Sequence, residues 1–378
     1  MALGLLKTND KTEELENIAD QYMQVLWSMG FLVDFLDHGI YWTFKVHDLM
    51  NELAISMTEG ESAFINFGSQ KVDGKLRHFS HGDTELCGEE FLQLIVDNSR
   101  SVRSIVFPAA EKYRDAPIIG SFITWNDALK KIPESICEIQ KLQMLRLRGC
   151  SEIKKLPNNI RKMICLRHLE ITTQEEVLPE NGIGCLSSLQ FLHVVGCKSL
   201  LSLCEGMQGL KSLRKLFLHS NHVISSLPDT IKYLKKLETL AIGNCPKINL
   251  KMELLGEDRE LRLSLKKFII VNLESLVDMP QLLLQASADT LKYMQIEGCE
   301  KLEALPEWLQ NLTSLEKLEI TRCYKLSSLP EGIEHLTSLK ELKITECPAL
   351  IESCRNDELK IAHVPVVHLI DHDTDFYG

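Results

Sequence analysis

The sequence predicts an α/β protein in which a horseshoe-shaped solenoid, with parallel strands on its concave face, follows a partial winged-helix unit. The first observation is a nine-residue phrase of spaced leucines, often ended by cysteine, that recurs through most of the chain. The second is a pattern of helix, hairpin and helix within the first 58 residues, which the phrase does not enter.

The phrase is clearest in residues 315–323 and 339–347, which lie 24 positions apart. Its apolar positions match the pattern L-x-x-L-x-L-x-x-N/C of leucine-rich repeats. One repeat cannot bury its own apolar face, so neighbouring repeats stack into a solenoid with a continuous core. A degenerate copy is predicted at Ile118. The first leucine of the phrase recurs in nine clear copies, at Leu142, Leu166, Leu189, Leu213, Leu237, Leu265, Leu291, Leu315 and Leu339.

Strand alternation predicts which side chains of each repeat face the core. In residues 315–323, Leu318 and Ile320 point inward, whereas the side chains at 317, 319 and 321 point outward. Aromatic and arginine side chains on an exposed face favour protein binding. The alternative is that the outward aromatic rings only cover one another on a passive sheet. The predicted protein-binding residues are Arg146, Arg148, Phe191, His193, Phe217, His219 and Tyr293.

Six of the twelve cysteines stand at the last position of the phrase, where the chain turns inward. A small thiol, which is a weak hydrogen-bond donor, can replace the asparagine that is usual there. There is no C-x-x-C pair and no signal peptide, so neither a zinc site nor a disulfide framework is predicted. We therefore interpret these residues as structural thiols: Cys150, Cys197, Cys245, Cys299, Cys323 and Cys347.

Composition excludes several classes of function for the 378-residue chain. Its net charge of −11 argues against nucleic acid as a partner, and no apolar run is long enough to span a membrane. No arrangement of nucleophile and base is recognisable, so catalysis is not expected. Histidines and aspartates cluster after residue 367, but a solvated acidic tail explains them better than a metal site. That cluster consists of His368, Asp371, His372, Asp373 and Asp375.

The N-terminal residues predict the last part of a winged-helix unit. Apolar residues from Leu15 to Leu26 are spaced for one helix face, and Gly30 is a stop signal. Residues 31–36 and 40–45 predict two strands joined by a turn. A second helix follows, with Leu49, Leu53 and Met57 on one face. In this interpretation Asp48 caps that helix.

The segment Phe44-Lys45-Val46-His47-Asp48-Leu49 resembles the "MHD" motif of plant intracellular immune receptors, the NB-ARC leucine-rich repeat proteins, of which the coiled-coil class fits best. The opening residues 1–6 resemble the entry to the winged-helix subdomain of that family. Residues 76–80 and 102–105 resemble its lead-in strands. The resemblance implies that His47, with Asp48, contacts the β-phosphate of bound ADP and holds the receptor off.

The sequence departs from the family pattern at two points. Val46 replaces the methionine that the family often has. No phosphate-binding loop G-x-x-x-x-G-K-[ST] occurs in the chain, so the coiled coil and most of the NB-ARC module are expected to precede residue 1 in a full-length relative. We therefore expect no cofactor in this chain, although a full-length relative is expected to bind ADP or ATP.

The predicted domains are the winged-helix part at 1–58, a linker with lead-in strands at 59–107, repeats at 108–351 and a capping tail at 352–378. A charged insertion is predicted at 251–262. The resemblance implies a cytoplasmic receptor fragment whose repeats recognise a pathogen effector or a guarded host protein and autoinhibit the nucleotide switch. The N-terminal NB-ARC and coiled-coil regions would be further partners. The alternative is a stand-alone repeat adaptor, for example one that recruits substrates to a ubiquitin ligase.

Overall fold

The chain divides into two compact units, residues 1–171 and 172–378. The computed structural model describes residues 15–37, 42–57, 61–65, 76–81, 92–93, 95–96, 101–107, 129–252 and 261–371. Several predicted features lie outside these residues: the opening segment 1–6, the degenerate repeat at Ile118, most of the insertion at 251–262 and the tail after residue 371.

The first unit begins with the predicted helix, hairpin and helix. Helix α1 ends before Gly30, whose φ of +73° is the left-handed conformation that glycine adopts most readily at a helix end. The two strands pair antiparallel, with Leu32 opposite Val46. The elements are α1 (Leu15–Ser28), β1 (Leu32–Asp37), β2 (Trp42–Val46) and α2 (Asp48–Met57).

The apolar face of α2 differs from the expectation for a core helix. Its spacing correctly predicts a helix, but Leu49 is 69% exposed and Met57 is 79% exposed. Leu53 is also exposed, and so is Tyr22 of α1. Helical periodicity specifies that these side chains share a face; it does not specify what covers that face.

Parallel strands complete the first unit. The two predicted lead-in strands are present and pair with each other, and the second of them also pairs with the first repeat strand. Neighbours along the chain are neighbours in the sheet. The strands are β3 (Ser62–Ile65), β4 (His78–His81), β5 (Ser104–Val106), β6 (Met144–Leu147) and β7 (His168–Ile171).

The second unit is a leucine-rich repeat solenoid with a parallel sheet along one side. Repeats stack in register, so that Lys317 lies opposite Glu341 and Leu318 opposite Leu342. The inward residues Leu318 and Ile320 are fully buried, as predicted. The strands are β8 (Phe191–Val195), β9 (Lys215–His219), β10 (Thr239–Gly243), β11 (Lys267–Val271), β12 (Tyr293–Glu297), β13 (Lys317–Thr321), β14 (Glu341–Thr345) and β15 (Val366–Ile370).

Short helical returns lie between these strands. Pro228, Pro306 and Pro330 each stand in extended conformation directly before a 3-10 helix, which agrees with the prediction that proline ends the extended backbone. The α-helical returns are α3 (Gln281–Gln285) and α4 (Pro348–Asn356), and the 3-10 returns of this unit are Ile183–Cys185, Glu205–Gly209, Asp229–Tyr233, Glu307–Asn311, Glu331–His335 and Glu358–Ile361.

Strand β15 extends the sheet beyond residue 351, where the sequence predicted that the repeat pattern ends. It pairs parallel with β14, with Leu342 opposite Val367 and Ile344 opposite Leu369. Val364 is buried at the position of the first leucine. This copy of the phrase does not match the leucine pattern because valine stands at two of its apolar positions.

The last position of the phrase forms a buried ladder of hydrogen bonds. Asn221 donates its Nδ2 to the Val194 carbonyl at 2.9 Å and accepts the Cys197 N–H at 3.0 Å. The Cys347 thiol accepts the Cys323 N–H at 3.3 Å and lies 3.9 Å from the Ile320 carbonyl. The six predicted structural thiols are buried free cysteines. The ladder therefore satisfies backbone groups where the chain turns inward.

We expect the ladder thiols to resist labelling in the native protein. Burial raises the pKa of Cys197 and of Cys245 to about 12, so both stay protonated near neutral pH. The exposed Cys185 is the internal control. Mass spectrometry after brief treatment with iodoacetamide should find adducts on Cys185 but none on Cys197 or Cys245 until the protein unfolds. Equal labelling of all three would contradict the buried ladder.

Candidate protein-binding surface

The outward side chains of the second unit change character along the sheet. On strands β8 to β11 nine of the twelve are buried, although they project away from the leucine core. On strands β12 to β14 they are mostly polar and partly exposed. The buried outward set comprises His193, Val195, Phe217, His219, Thr239, Ala241, Gly243, Ile269 and Val271.

Phe217 shows why the predicted exposure of this set is wrong. The ring is 3% exposed, and its centroid lies 5.1 Å from that of Phe191 in an edge-to-face arrangement. The His193 ring packs 5.9 Å from Phe217 on another side. Adjacent strands bring outward side chains within about 5 Å of each other, so large apolar neighbours bury one another. The structure therefore favours the alternative, in which these rings pack together.

His219 lies in a polar chain at the carboxyl end of the strands. Its Nε2 is 3.0 Å from Nδ2 of Asn244, and its Nδ1 is 3.1 Å from the Ser220 hydroxyl. Asn272 donates its Nδ2 to Oδ1 of Asn244 at 2.8 Å. Three of these residues, Ser220, Asn244 and Asn272, have positive φ at the same position of the phrase. His219 is thus buried and hydrogen-bonded, which corrects its predicted role as an exposed contact residue.

We call the outward side chains of β12, β13 and β14 the polar rows. Hydrogen bonds and ion pairs link several of these side chains. The Tyr293 hydroxyl donates to Oε2 of Glu319 at 2.5 Å. Lys317 bridges Glu319 at 2.9 Å and Glu341 at 3.0 Å. Burial opposes the charge of Lys317, but the two carboxylates outweigh it and raise the pKa of the ammonium. Arg322, just after β13, pairs with Glu297.

Tyr293 is one of the predicted binding residues that the structure leaves partly exposed. Its ring is partly exposed, and Nζ of Lys317 lies 5.9 Å from the ring centroid. Sequence reasoning did not single out the charged members of the polar rows. The sequence signal for these charged residues was the alternation of acidic and basic residues at equivalent positions of adjacent repeats. This alternation favours ion pairs between neighbouring strands.

In the first unit, Arg146 belongs to a different ion cluster. Its Nε lies 3.0 Å from Oε1 of Glu170, and Nε2 of His168 is 2.7 Å from the same oxygen. Glu170 is buried, so its carboxylate depends on these partners. Arg148 is partly exposed on the same side of the chain. Arg146 is therefore ion-paired with a buried carboxylate, while the outer atoms of its side chain remain accessible.

His47 and Asp48 lie at the start of α2, and both are exposed. The His47 carbonyl accepts the Asn51 N–H at 3.0 Å, and its Nδ1 accepts the Leu49 N–H at 3.3 Å. His47 is therefore the capping residue, a role that the sequence analysis gave to Asp48. Because Nδ1 is an acceptor here, the neutral ring carries its proton on Nε2, which can donate to a phosphate oxygen. Asp48 instead occupies the first helical turn.

Comparison with known proteins addresses the identity of the chain. Residues 123–304 match the model described as "Leucine-rich repeat region", and residues 283–347 match "R13L1/DRL21 LRRs". Residues 1–54 match "Disease resistance protein Winged helix domain". The chain is thus similar to plant disease-resistance proteins in its winged-helix part, and it contains leucine-rich repeats. Membership of the coiled-coil class stays a prediction.

Curated relatives agree with this assignment. The disease-resistance-like protein DSC1 of Arabidopsis thaliana is 27% identical over 218 residues, which are 50% of this chain and 17% of the relative. The TMV resistance protein N of Nicotiana glutinosa is 29% identical over 171 residues, 38% of this chain and 15% of the relative. The chain thus spans less than a fifth of the length of these two relatives.

The solved structures that match the chain include a leucine-rich repeat protein. The structure of the Toll–Spatzle complex from Drosophila matches with a TM-score of 0.49 at 17% identity, covering 72% of this chain and 34% of that one. A Leptospira interrogans LRR protein matches with a TM-score of 0.38 at 16% identity, covering 78% and 84%. Among the residues that the structure describes, no helix combines the length and apolarity needed to cross a bilayer.

Proposed function

We propose that this chain is the sensor region of a plant innate-immunity receptor, and that its repeats recognise a pathogen effector or a guarded host protein. The polar rows are the observation that carries the proposal. They combine an accessible aromatic ring with lysine and carboxylate groups held by ion pairs, whereas the preceding outward rows are buried. The names of the relatives support a role in disease resistance. We place the receptor in the cytoplasm and assign it no catalytic activity.

We further propose that the chain holds the nucleotide switch of a longer receptor closed. The exposed apolar face of α2, with Leu49, Leu53 and Met57, supports a contact with the NB-ARC module. His47 supports a contact with the nucleotide, because its Nε2 can donate to a phosphate oxygen. The Asp48 carboxylate opposes a phosphate at the same helix end, so other groups of the longer receptor must supply most of the binding energy.

The chain alone is expected not to bind ADP at micromolar concentrations. Its only assigned nucleotide contact is His47, and one hydrogen bond to a charged group contributes roughly 1.5–3 kcal/mol, far less than micromolar binding requires. Isothermal titration with ADP checks this, and His47→Ala is the control. Micromolar binding that disappears in the His47→Ala variant would show that this chain holds more of the site than we propose.

The proposed recognition surface is tested by replacing Tyr293 with alanine. The probe is the effector or guarded host protein that a full-length relative recognises, supplied as a purified protein and measured by biolayer interferometry. If Tyr293 is a central contact, its loss should weaken binding by about 2 kcal/mol, or about thirtyfold. Thermal unfolding should change little, because the side chain is only partly buried.

Tyr324→Ala is the matched control for this test. Tyr324 is 56% exposed, follows β13 and lies outside the polar rows. Its replacement should leave binding unchanged. Equal losses in both variants, or no loss with Tyr293→Ala, would move the recognition surface away from the polar rows.

A further inference from the structure

The outer edge of strand β15 is a candidate for a second binding surface. Among the described residues, β15 is the last strand of its sheet, with β14 as its strand neighbour. Natural edge strands are commonly protected by lysine, proline or a bulge. The segment Val366–Ile370 contains none of these, and four of its five residues are aliphatic.

Within the part of the chain that the structure describes, the backbone of β15 has one side paired with β14 and one side without a strand partner. The Val366 N–H donates to the Lys340 carbonyl at 3.0 Å, and the Ile370 carbonyl accepts the Glu346 N–H at 2.8 Å. In a parallel ladder, alternate residues direct their N–H and C=O groups to opposite sides. The N–H and C=O groups of Val367 and Leu369 therefore point away from β14.

The side chains of β15 leave the end of the core incomplete. Leu342 and Ile344 on β14 are fully buried, whereas Val367 and Leu369, which continue the same two inward rows, are only partly buried. On the outward side, Val366 is 44% exposed. One further strand would cover the inward pair as each repeat covers the one before it.

Charge indicates the kind of segment that fits this edge. His368 on β15 lies level with Lys343 on β14, between the outward side chains of Val366 and Ile370. An acidic side chain on an added strand would lie next to His368, one strand away from Lys343. A second copy of β15 would instead oppose one His368 with another, which is unfavourable whenever both are charged.

We propose that β15 binds an extended segment of a partner protein as an added strand. Main-chain hydrogen bonds to Val367 and Leu369 hold the segment, apolar side chains cover that inward pair, and an acidic side chain lies level with His368 and Lys343. Strand addition of this kind obtains affinity from the backbone and specificity from alternate side chains. The surface is separate from the Tyr293 surface and does not depend on it.

The test uses the full chain and a short acetylated peptide in which valine and glutamate alternate, followed by fluorescence anisotropy. Leu369→Pro removes an open N–H, whereas Leu369→Ala removes the same side chain and keeps that N–H. The N–H of residue 369 points away from β14, so a proline there removes no hydrogen bond between β14 and β15. Edge strands accept proline at such positions. We expect the proline variant to bind about tenfold more weakly than the alanine variant, because it loses a main-chain bond and the ring blocks its neighbour.

Two peptide controls make the result independent of the stability of the variants. A peptide with N-methylated backbone should not bind the unaltered chain, and a valine–lysine peptide should bind more weakly than the valine–glutamate peptide. Equal binding of the methylated peptide, or equal weakening by proline and alanine, would overturn the proposal. Dimers in sedimentation velocity that Leu369→Pro dissociates would assign the edge to a second copy and also overturn it.

Discussion

Replacing Phe217 with alanine is expected to destabilise the second unit by about 3–5 kcal/mol, the cost typical of a buried phenylalanine. The ring is 3% exposed and packs against Phe191 and His193, so its removal leaves a cavity between strands β8 and β9. Equilibrium unfolding in urea measures the change. An exposed phenylalanine, as alternation alone would predict, would lose far less.

Two neighbouring variants calibrate this result. Leu216→Ala removes an inward, fully buried side chain and should cost about 2–5 kcal/mol. Phe191→Ala removes a ring that is only partly buried, so its effect should be smaller than that of Phe217→Ala. If Phe217→Ala unfolded at the same urea concentration as the unaltered chain, the outward rings would not form the packed group described above.

Replacing Asn221 with leucine is expected to cost roughly 3–6 kcal/mol. The side chain is fully buried and serves two backbone groups, the Val194 carbonyl and the Cys197 N–H. Leaving each buried group without a partner costs about 1–3 kcal/mol, and a branched aliphatic side chain also overpacks the turn. Urea unfolding and near-ultraviolet circular dichroism would measure the loss.

Asn221→Cys is the control for the ladder. Cysteine occupies the equivalent position in other repeats, where its sulfur accepts an N–H such as that of Cys323. We expect this variant to retain more than half of the stability that Asn221→Leu loses. Equal destabilisation by cysteine and leucine would mean that hydrogen bonding at this position is not what matters.

The repeat register was predictable because strand alternation and the nine-residue phrase fix it locally. The strands begin two residues after the predicted first leucines, as at Leu315 and Lys317. The burial of Phe217 was not predictable in this way, because it depends on a ring from another repeat. The final strand was missed for a simpler reason: valine replaces leucine at 364 and 367.

The candidate sites show the same division between local and non-local information. The helix starting near His47 was predicted, but which of two adjacent side chains caps it depends on a hydrogen bond between Nδ1 and the Leu49 N–H. Tyr293 was predicted as an outward aromatic residue, and its position agrees. Its link to Glu319 spans two repeats, so it could not be derived from the phrase in one of them.

The buried ladder affects how the number of repeats in such chains can change in evolution. Each rung bonds to backbone groups of the repeat directly before it, as Asn221 does with Val194 and Cys197, and Cys347 with Ile320 and Cys323. Each ladder side chain therefore requires only one preceding repeat with matching backbone geometry, whichever repeat that is. Recombination that duplicates or removes a whole repeat preserves these bonds, whereas loss of a few residues breaks them. The gene can therefore gain or lose whole repeats while the protein still folds.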